Sequence, residues 1–281
     1  MKIGIIAPSN SIVGEKNIKE FKDGIKMLEA NNFEVIVGKN VYSTTNGYCG
    51  SIEEKLEDLY SVCESTKYIM CATGGINSNN LLDKLDYNKI KNNIFIGNSN
   101  PVLLFNALYK INGQISYIGP NVKTLGKVSS NFMIESIKNK IINNINDIQT
   151  EEPNYIINNG SADGIAIGGN IQSLRRILGT KYFPKIDNSI LYLEADPIET
   201  NKIEFESIIC QFKQANVFKG CNGIIVGNYD DIDFIKSIFV DFKIPVIICK
   251  NIGHNVHNNL VPIGKKIKIN LDGSIIEINE K

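Results

Sequence analysis

The chain contains no tryptophan and only two histidines, His254 and His257. A reaction that needs an imidazole base therefore has two places to find one. Neither sign of charge is in excess: Lys+Arg and Asp+Glu number 30 each, so the formal net charge is zero. That removes the basic surplus that nucleic acid or an anionic lipid surface attracts, and neither is expected as a partner. No apolar run is long enough to cross a bilayer. The opening Met1-Lys2-Ile3-Gly4-Ile5-Ile6-Ala7-Pro8 is too short for a signal peptide and reads as a strand ended by proline. The six cysteines (Cys49, Cys63, Cys71, Cys210, Cys221, Cys249) show no C-x-x-C pair. Several sit in apolar runs, where a thiol behaves as a small hydrophobe. They point to a reducing cytoplasm and no disulfide framework. His254-x-x-His257 has no nearby cysteine or carboxylate completing a ligand spacing, so no metal is expected, and no other cofactor.

What is present is a long alternation of strand and helix signals. The 281 residues suffice for one large or two medium domains. Strands are predicted at Ile3–Ala7, Phe33–Val37, Tyr68–Ala72, Ile94–Ile96 and Ile115–Ile118. Between them, Ile18/Phe21/Ile25/Leu28, Ile52/Leu56/Leu59/Tyr60/Cys63 and Leu81/Leu82/Leu85 recur at helical spacing. This pattern predicts an α/β fold whose N-terminal part is a Rossmann-like parallel sheet covered on both faces. Ligands then bind beyond the carboxyl ends of the strands, where Thr73-Gly74-Gly75 and Ser99 both fall. Thr73-Gly74-Gly75 lacks the G-x-G-x-x-G spacing of a dinucleotide site.

From Asn121 to Gly160 the character changes. Phe132, Ile137, Ile141 and Ile145 predict a helix, and Glu151-Glu152-Pro153 and Asn158-Asn159-Gly160-Ser161 look like joints. A second α/β unit follows. Its strands are predicted at Gly164–Ile167, Ser189–Leu193, Gly223–Val226 and Pro245–Cys249. Its helices run through Ile171/Leu174/Ile177/Leu178, ending at Gly179, and through Ile203/Ile208/Ile209/Phe212. Lys266–Leu271, Asp272-Gly273 and Ser274–Ile278 predict a terminal β-hairpin on a tight primed turn. The expected domains are 1–122, a linker over 123–160, and 161–281.

Three residue types stand where chemistry needs them. Ser99 follows the Ile94–Ile96 strand and precedes a helix opening at Pro101, which is tolerated in a first turn. A tight strand-to-helix turn lifts a hydroxyl from the sheet and aims backbone N–H groups at the atom it attacks. Taken alone, the turn reads first as an N-cap at Ser99, since a lone G-x-S is a weak pattern and Pro101 replaces the second glycine of the usual nucleophile elbow. Glu194 ends the buried Ile190–Leu193 run, where a carboxylate must be solvated or paired; it also suits the start of a helix after Pro197. With His254 or His257, the chain order is Ser, Glu, His, as in α/β-hydrolases.

Ordered motifs carry a resemblance across essentially the whole chain. They are Ile69–Asn79 with its Thr73-Gly74-Gly75, Ile96-Gly97-Asn98-Ser99-Asn100, Tyr117–Pro120, Gly168-Gly169-Asn170-Ile171, Leu178-Gly179-Thr180, Ile190–Glu194, and Gly253-His254 through Pro262-Ile263-Gly264. Together they resemble the LD-carboxypeptidase family of serine peptidases, which includes the microcin C immunity peptidases. The resemblance implies Ser99 as nucleophile, His254 as general base then acid, and Glu194 as its orienting partner. Backbone N–H groups of Gly75 and Asn100 would form the oxyanion hole, and Thr73 and Gly74 would contact substrate. It also implies serine on one domain with Glu and His on the other, and a homodimer.

The chain departs from the family at three places. Thr73 stands where the carboxypeptidase branch has Arg, which brings the chain nearer the immunity branch. Gly97-Asn98-Ser99-Asn100 replaces Gly-Tyr-Ser-Asp. The chain is also shorter than immunity-type members before Gly160, in the region whose aromatics meet a nucleobase. The expected activity is hydrolysis of an amide bond in a small peptide-like substrate, either a murein tetrapeptide or a peptide–nucleotide antibiotic. The expectation from a different class is a ligand-binding homologue with little or no turnover.

Overall fold

Runs of Ile, Val and Phe bounded by turn residues form the strands of the first sheet: β1 (Lys2–Ile6), β2 (Glu34–Val37), β3 (Tyr68–Cys71), β4 (Ile94–Gly97) and β5 (Ser116–Ile118). In the computed structural model, which describes residues 1–148, 150–196, 200–227, 229–255 and 257–278, they lie parallel in the order β5-β4-β3-β1-β2. Helices cover both faces. α1 (Glu15–Ala30), α4 (Val122–Val128) and α5 (Asn131–Ile141) set Phe21, Leu28, Leu125, Met133 and Ile137 against Ile3, Ile5 and Met70. α2 (Ile52–Ser65) and α3 (Pro101–Asn112) set Leu59, Val62, Leu103 and Phe105 against Ile6, Ile69 and Phe95 on the opposite face. α2 begins at a capping box, Ser51 with Glu54. Two glycines let α1 and α4 touch backbone to backbone: a Cβ on Gly24 would lie 2.0 Å from the Val122 carbonyl oxygen, and one on Gly126 1.8 Å from that of Glu20.

The second sheet contains β6 (Tyr155–Asn158), β7 (Ala162–Asn170), β8 (Ser189–Glu194), β9 (Cys221–Gly227), β10 (Val246–Cys249), β12 (Lys266–Ile269) and β13 (Ile275–Glu277). Its order is β13-β12-β7-β8-β9-β10-β6, parallel from β7 to β10 and antiparallel at both ends. β11 (Val261–Ile263), from the same stretch of chain, leaves this sheet and pairs antiparallel with β5 of the first. Strand alternation divides the side chains between two cores. Leu191, Leu193, Ile224 and Val226 face α7 (Lys202–Gln214) and α8 (Ile232–Phe239). Ile190, Tyr192 and Ile225 face inward and share one core with α3.

α3 therefore lies between the sheets, and from Pro101 to Leu108 every residue is buried. Asn106 ties it across. Its amide donates to the Gly168 carbonyl at 2.8 Å and its carbonyl accepts from the Gly168 N–H at 3.0 Å. The helix that begins beside Ser99 is thus held in register with β7, whose Asn170 pairs with Glu194 of β8.

Some sequence expectations are corrected. Leu81, Leu82 and Leu85 do not lie on a helix but around two 3-10 turns, Ser78–Leu81 and Tyr87–Ile90. Asn77, at φ 74°, and the Asp86 carboxylate, which accepts from Asn88 N–H, compete with helical continuation. α6 (Ile171–Arg175) stops short of Gly179. Ile203, counted in an apolar stripe, is 80% exposed, and Phe205 fills the buried position. The terminal hairpin has a longer loop than two residues: Asn270 donates to the Ser274 carbonyl, and only Gly273 has positive φ, whereas a tight type I′ turn needs two such residues. All six cysteines are free thiols. Among the described residues no helix is long and apolar enough to cross a membrane.

Candidate active site

Ser99 sits between β4 and α3 with φ 67°, a left-handed conformation rare for a residue with a Cβ. It is not the cap of α3; that position belongs to Asn100, and Pro101 opens the helix. The capping reading of Ser99 therefore fails, and a strained turn takes its place. Two asparagines hold the turn. Asn98 N–H donates to Asn121 Oδ1 at 3.1 Å. Asn100 Oδ1 accepts from Ser78 N–H at 2.6 Å, from the Ser9 hydroxyl at 3.1 Å and from the Ser78 hydroxyl. An accepting oxygen is what those donors require, so asparagine serves at this position without a carboxylate's charge.

Left-handed backbone at an L-residue costs on the order of 1 kcal/mol, which the surrounding bonds must offset. Ser99→Gly is accordingly expected to raise stability by about 0.5–1 kcal/mol. Ser99→Ala should bring no such gain, because alanine keeps the Cβ. Urea denaturation of the two variants checks this; equal stabilities would show that the turn is unstrained.

Thr73, Gly74 and Gly75 run alongside. A Cβ on Gly74 would lie 2.7 Å from Ser99 Cβ and 3.0 Å from its Oγ, so this backbone touches the serine directly. Gly75 has φ 122°, and a Cβ there would overlap the Asn10 side chain at 2.2 Å. Asn10 clamps the loop through Ile76 N–H to its Oδ1 at 3.0 Å. Among the described residues the N–H groups of Gly75 and Asn100 meet no acceptor.

The other wall comes from the second sheet. Glu194, the last residue of β8, has no exposed surface. Its Oε2 lies 2.8 Å from His254 Nδ1 and accepts from His254 N–H at 3.3 Å. A carboxylate oxygen at that distance suits an Nδ1–H donor, the tautomer in which Nε2 can act as a base. Gly253 and Gly227 make room: a Cβ on Gly253, whose φ is 99°, would come 2.8 Å from Glu194 Oε2. Burial above all, then the neighbouring Glu194, holds the Tyr192 phenol well above its ordinary pKa. Asp196 adds a second carboxylate, with Oδ2 3.9 Å from His254 Nε2. Glu194 does not cap the next helix, since Asn201 caps α7; Pro197 lies outside the described residues.

One cavity of about 580 Å³ brings these parts together, lined by Thr73, Gly74, Gly75, Ser99, Asp196 and His254 among others. His257 is not among its lining residues; it pairs with Glu151 and stacks on Phe132 with ring centres 5.7 Å apart. Of the two histidines left open by the sequence, the fold presents His254 to Ser99's cavity. Sequence reasoning missed Asn10, Asn121, Asp196 and the lysines on the outer wall. Only Asp196 carried a local signal, two positions after Glu194.

The architecture is that of a two-domain α/β protein with a cleft between a parallel sheet and a curled mixed sheet. The chain belongs to the LD-carboxypeptidase family: the family's N-terminal domain matches residues 3–119 and its C-terminal domain residues 163–269. It is 28% identical to a putative carboxypeptidase of Treponema pallidum (strain Nichols), over 99% of this chain and 92% of that one. It is 26% identical to the microcin C7 self-immunity protein MccF of Escherichia coli, over 93% of this chain and 88% of that one. The crystal structure of an MccF-like protein from Bacillus anthracis str. Ames superposes with a TM-score of 0.88 at 25% identity, covering 100% of this chain and 97% of the other.

Proposed function

We propose that the protein is a serine peptidase that hydrolyses an amide bond near the carboxyl end of a small peptide-like substrate. The observation that carries this reading is the fully buried Glu194 on His254 Nδ1, with the ring lining the same cavity as a left-handed Ser99. In this reading His254 Nε2 takes the Ser99 proton as Oγ attacks the carbonyl carbon. The tetrahedral oxyanion is met by the N–H groups of Gly75 and Asn100, each donor being worth ~3 kcal/mol in such a site. The protonated ring then gives its proton to the departing amine, leaving an acyl-enzyme, and water activated by the same nitrogen releases the acid. Thr73 and Gly74 flank the acyl group. Family membership supports carboxypeptidase-type chemistry on murein peptides, releasing a terminal D-amino acid. The likeness to MccF supports a peptide–nucleotide as the other substrate class. The unpaired cysteines favour a reducing cytoplasm, and the homodimer rests on the resemblance alone.

The test is mass-spectrometric cleavage by wild type and Ser99→Ala of murein tetrapeptides and one aminoacyl-nucleotide conjugate, with a serine-reactive phosphonate as active-site label. Loss of a terminal D-amino acid by wild type only supports the murein branch; cleavage of the conjugate only supports the immunity branch. No turnover, with Ser99 unlabelled, overturns the peptidase reading in favour of a ligand-binding homologue.

A further inference from the structure

The cavity has a wall the proposed chemistry does not use. α1 and α4 present Lys16, Lys123 and Lys127 to the same cavity as Ser99 and His254. Their placement follows from the fold. Gly24 and Gly126 bring the two helices into backbone contact. Lys123 N–H donates to the Ala72 carbonyl at 2.9 Å, so α4 starts against the strand end that leads into Thr73-Gly74. Lys123 is also two positions from Asn121, which holds the nucleophile turn through Asn98.

These three ammonium groups are not neutralised. Among the described residues none of them forms a salt bridge, and Lys123 Nζ donates only to the neutral Asn17 Oδ1, at 3.2 Å. Two carboxylates, Glu20 beside the lysines and Asp196 beside His254, line the same cavity, so the three ammonium groups still outnumber them. Burial draws the Lys123 pKa below its ordinary value, and Lys127 and Lys16 push the same way against the opposing effect of Glu20. Lys123 is half-buried and the exposed Lys16 and Lys127 crowd it, a repulsion that an anion held between them relieves.

We propose that Lys16, Lys123 and Lys127 form an oxyanion subsite that takes a carboxylate or phosphate of the substrate beside Ser99. This deepens the peptidase reading and rests on it for the word substrate, but the subsite is testable without turnover. Both sources present the same chemistry: a peptide ends in a carboxylate, and a nucleotide conjugate carries a phosphate. Ammonium groups serve either as point charges, without the planar fork that would favour one.

Calorimetric titration of the Ser99→Ala protein tests it with three probes: N-acetyl-lysyl-D-alanine, the C-terminal amide of the same dipeptide, and adenosine monophosphate. At least one anionic probe should bind about tenfold more tightly than the amide, and its affinity should fall with added salt. Lys123→Gln should remove most of that preference. Lys127→Gln, at an exposed position where folding is not at risk, should remove part of it, and Glu20→Gln should strengthen it. Lys110→Gln, remote from the cavity, is the control. Preference for the dipeptide acid identifies carboxylate as the ligand; preference for the nucleotide identifies phosphate. Equal binding of acid and amide with no nucleotide binding, or a preference untouched in Lys123→Gln, overturns the proposal. Cleavage by the unaltered enzyme without such a preference would sink the subsite and leave the peptidase standing. Lysine-dependent binding on a protein whose Ser99 is inert would do the reverse.

Discussion

Glu194→Gln is expected to lower kcat/KM by about 10³–10⁴ while leaving the fold intact. The buried carboxylate accepts from Nδ1–H and from the backbone N–H of His254, and both bonds specify an acceptor at that point. Glutamine has nearly the same shape but turns one side of the group into a donor. If the amide NH₂ faces Nδ1, the ring must carry its proton on Nε2 and can no longer take one from Ser99. If the amide oxygen faces Nδ1, the tautomer survives but no negative charge balances the imidazolium that forms. The rate of Ser99 labelling by a phosphonate should fall with the rate of cleavage, because both need the same base. Labelling at the wild-type rate would remove Glu194 from the proposed machinery, whatever substrate is used. Asp196 does not substitute for it, since its carboxylate lies on the Nε2 side of the ring, at 3.9 Å.

The second large effect is on stability. Glu277→Ala should destabilise the fold by about 3–5 kcal/mol, because removing one member of a buried ionic group leaves the others unpaired. Glu277 binds two lysines, Lys140 at 2.6 Å through Oε1 and Lys265 at 2.6 Å through Oε2. Both the Lys140 and Glu277 side chains are almost wholly buried, at 3% and 1% exposure. Lys140 also donates to the carbonyls of Ile145 and Asn146, so the group ties α5 and the chain after it to the terminal hairpin. Burial holds Lys140 below the ordinary lysine pKa, and Glu277 opposes that. Without Glu277 the depression deepens. Between the folded value and about 10.4 the unfolded chain binds more protons, so stability rises with pH there. The deficit of Glu277→Ala should therefore be greatest near neutrality and narrow as the solution is made alkaline. Denaturant titrations at several pH values measure this, and a pH-independent deficit would contradict the account. The pair Lys140→Met with Glu277→Leu should recover much of the loss, since apolar replacement of a whole buried ionic group is often neutral or better.

Much of the first sheet is legible because parallel strands buried on both faces leave short apolar runs with turn residues between them. Tyr68–Cys71 and Ile94–Gly97 are such runs. The Leu81–Leu85 segment misleads for an equally physical reason: three leucines bury equally well around 3-10 turns, and local bonds at Asn77 and Asp86 decide between the two. β11 is hidden because three residues carry no periodicity, and its partner β5 is more than a hundred positions away.

In the candidate site, the serine at a strand-to-helix turn, the carboxylate at a strand end and the scarcity of histidine are properties of the sequence alone. So is the class of fold, since strand and helix periods are local consequences of which residues follow one another. Residue pattern alone leaves His254 and His257 open and the family resemblance favours His254; the tertiary structure shows the buried Glu194 carboxylate on the His254 ring, across 60 residues of chain. It alone showed Ser99 at positive φ rather than as a cap, a conformation held by Asn98, Asn100 and their distant partners. It alone gathered Lys16, Lys123 and Lys127 on one wall. A neutral total charge says nothing of where charges meet, and that meeting is made by two glycines where one helix crosses another.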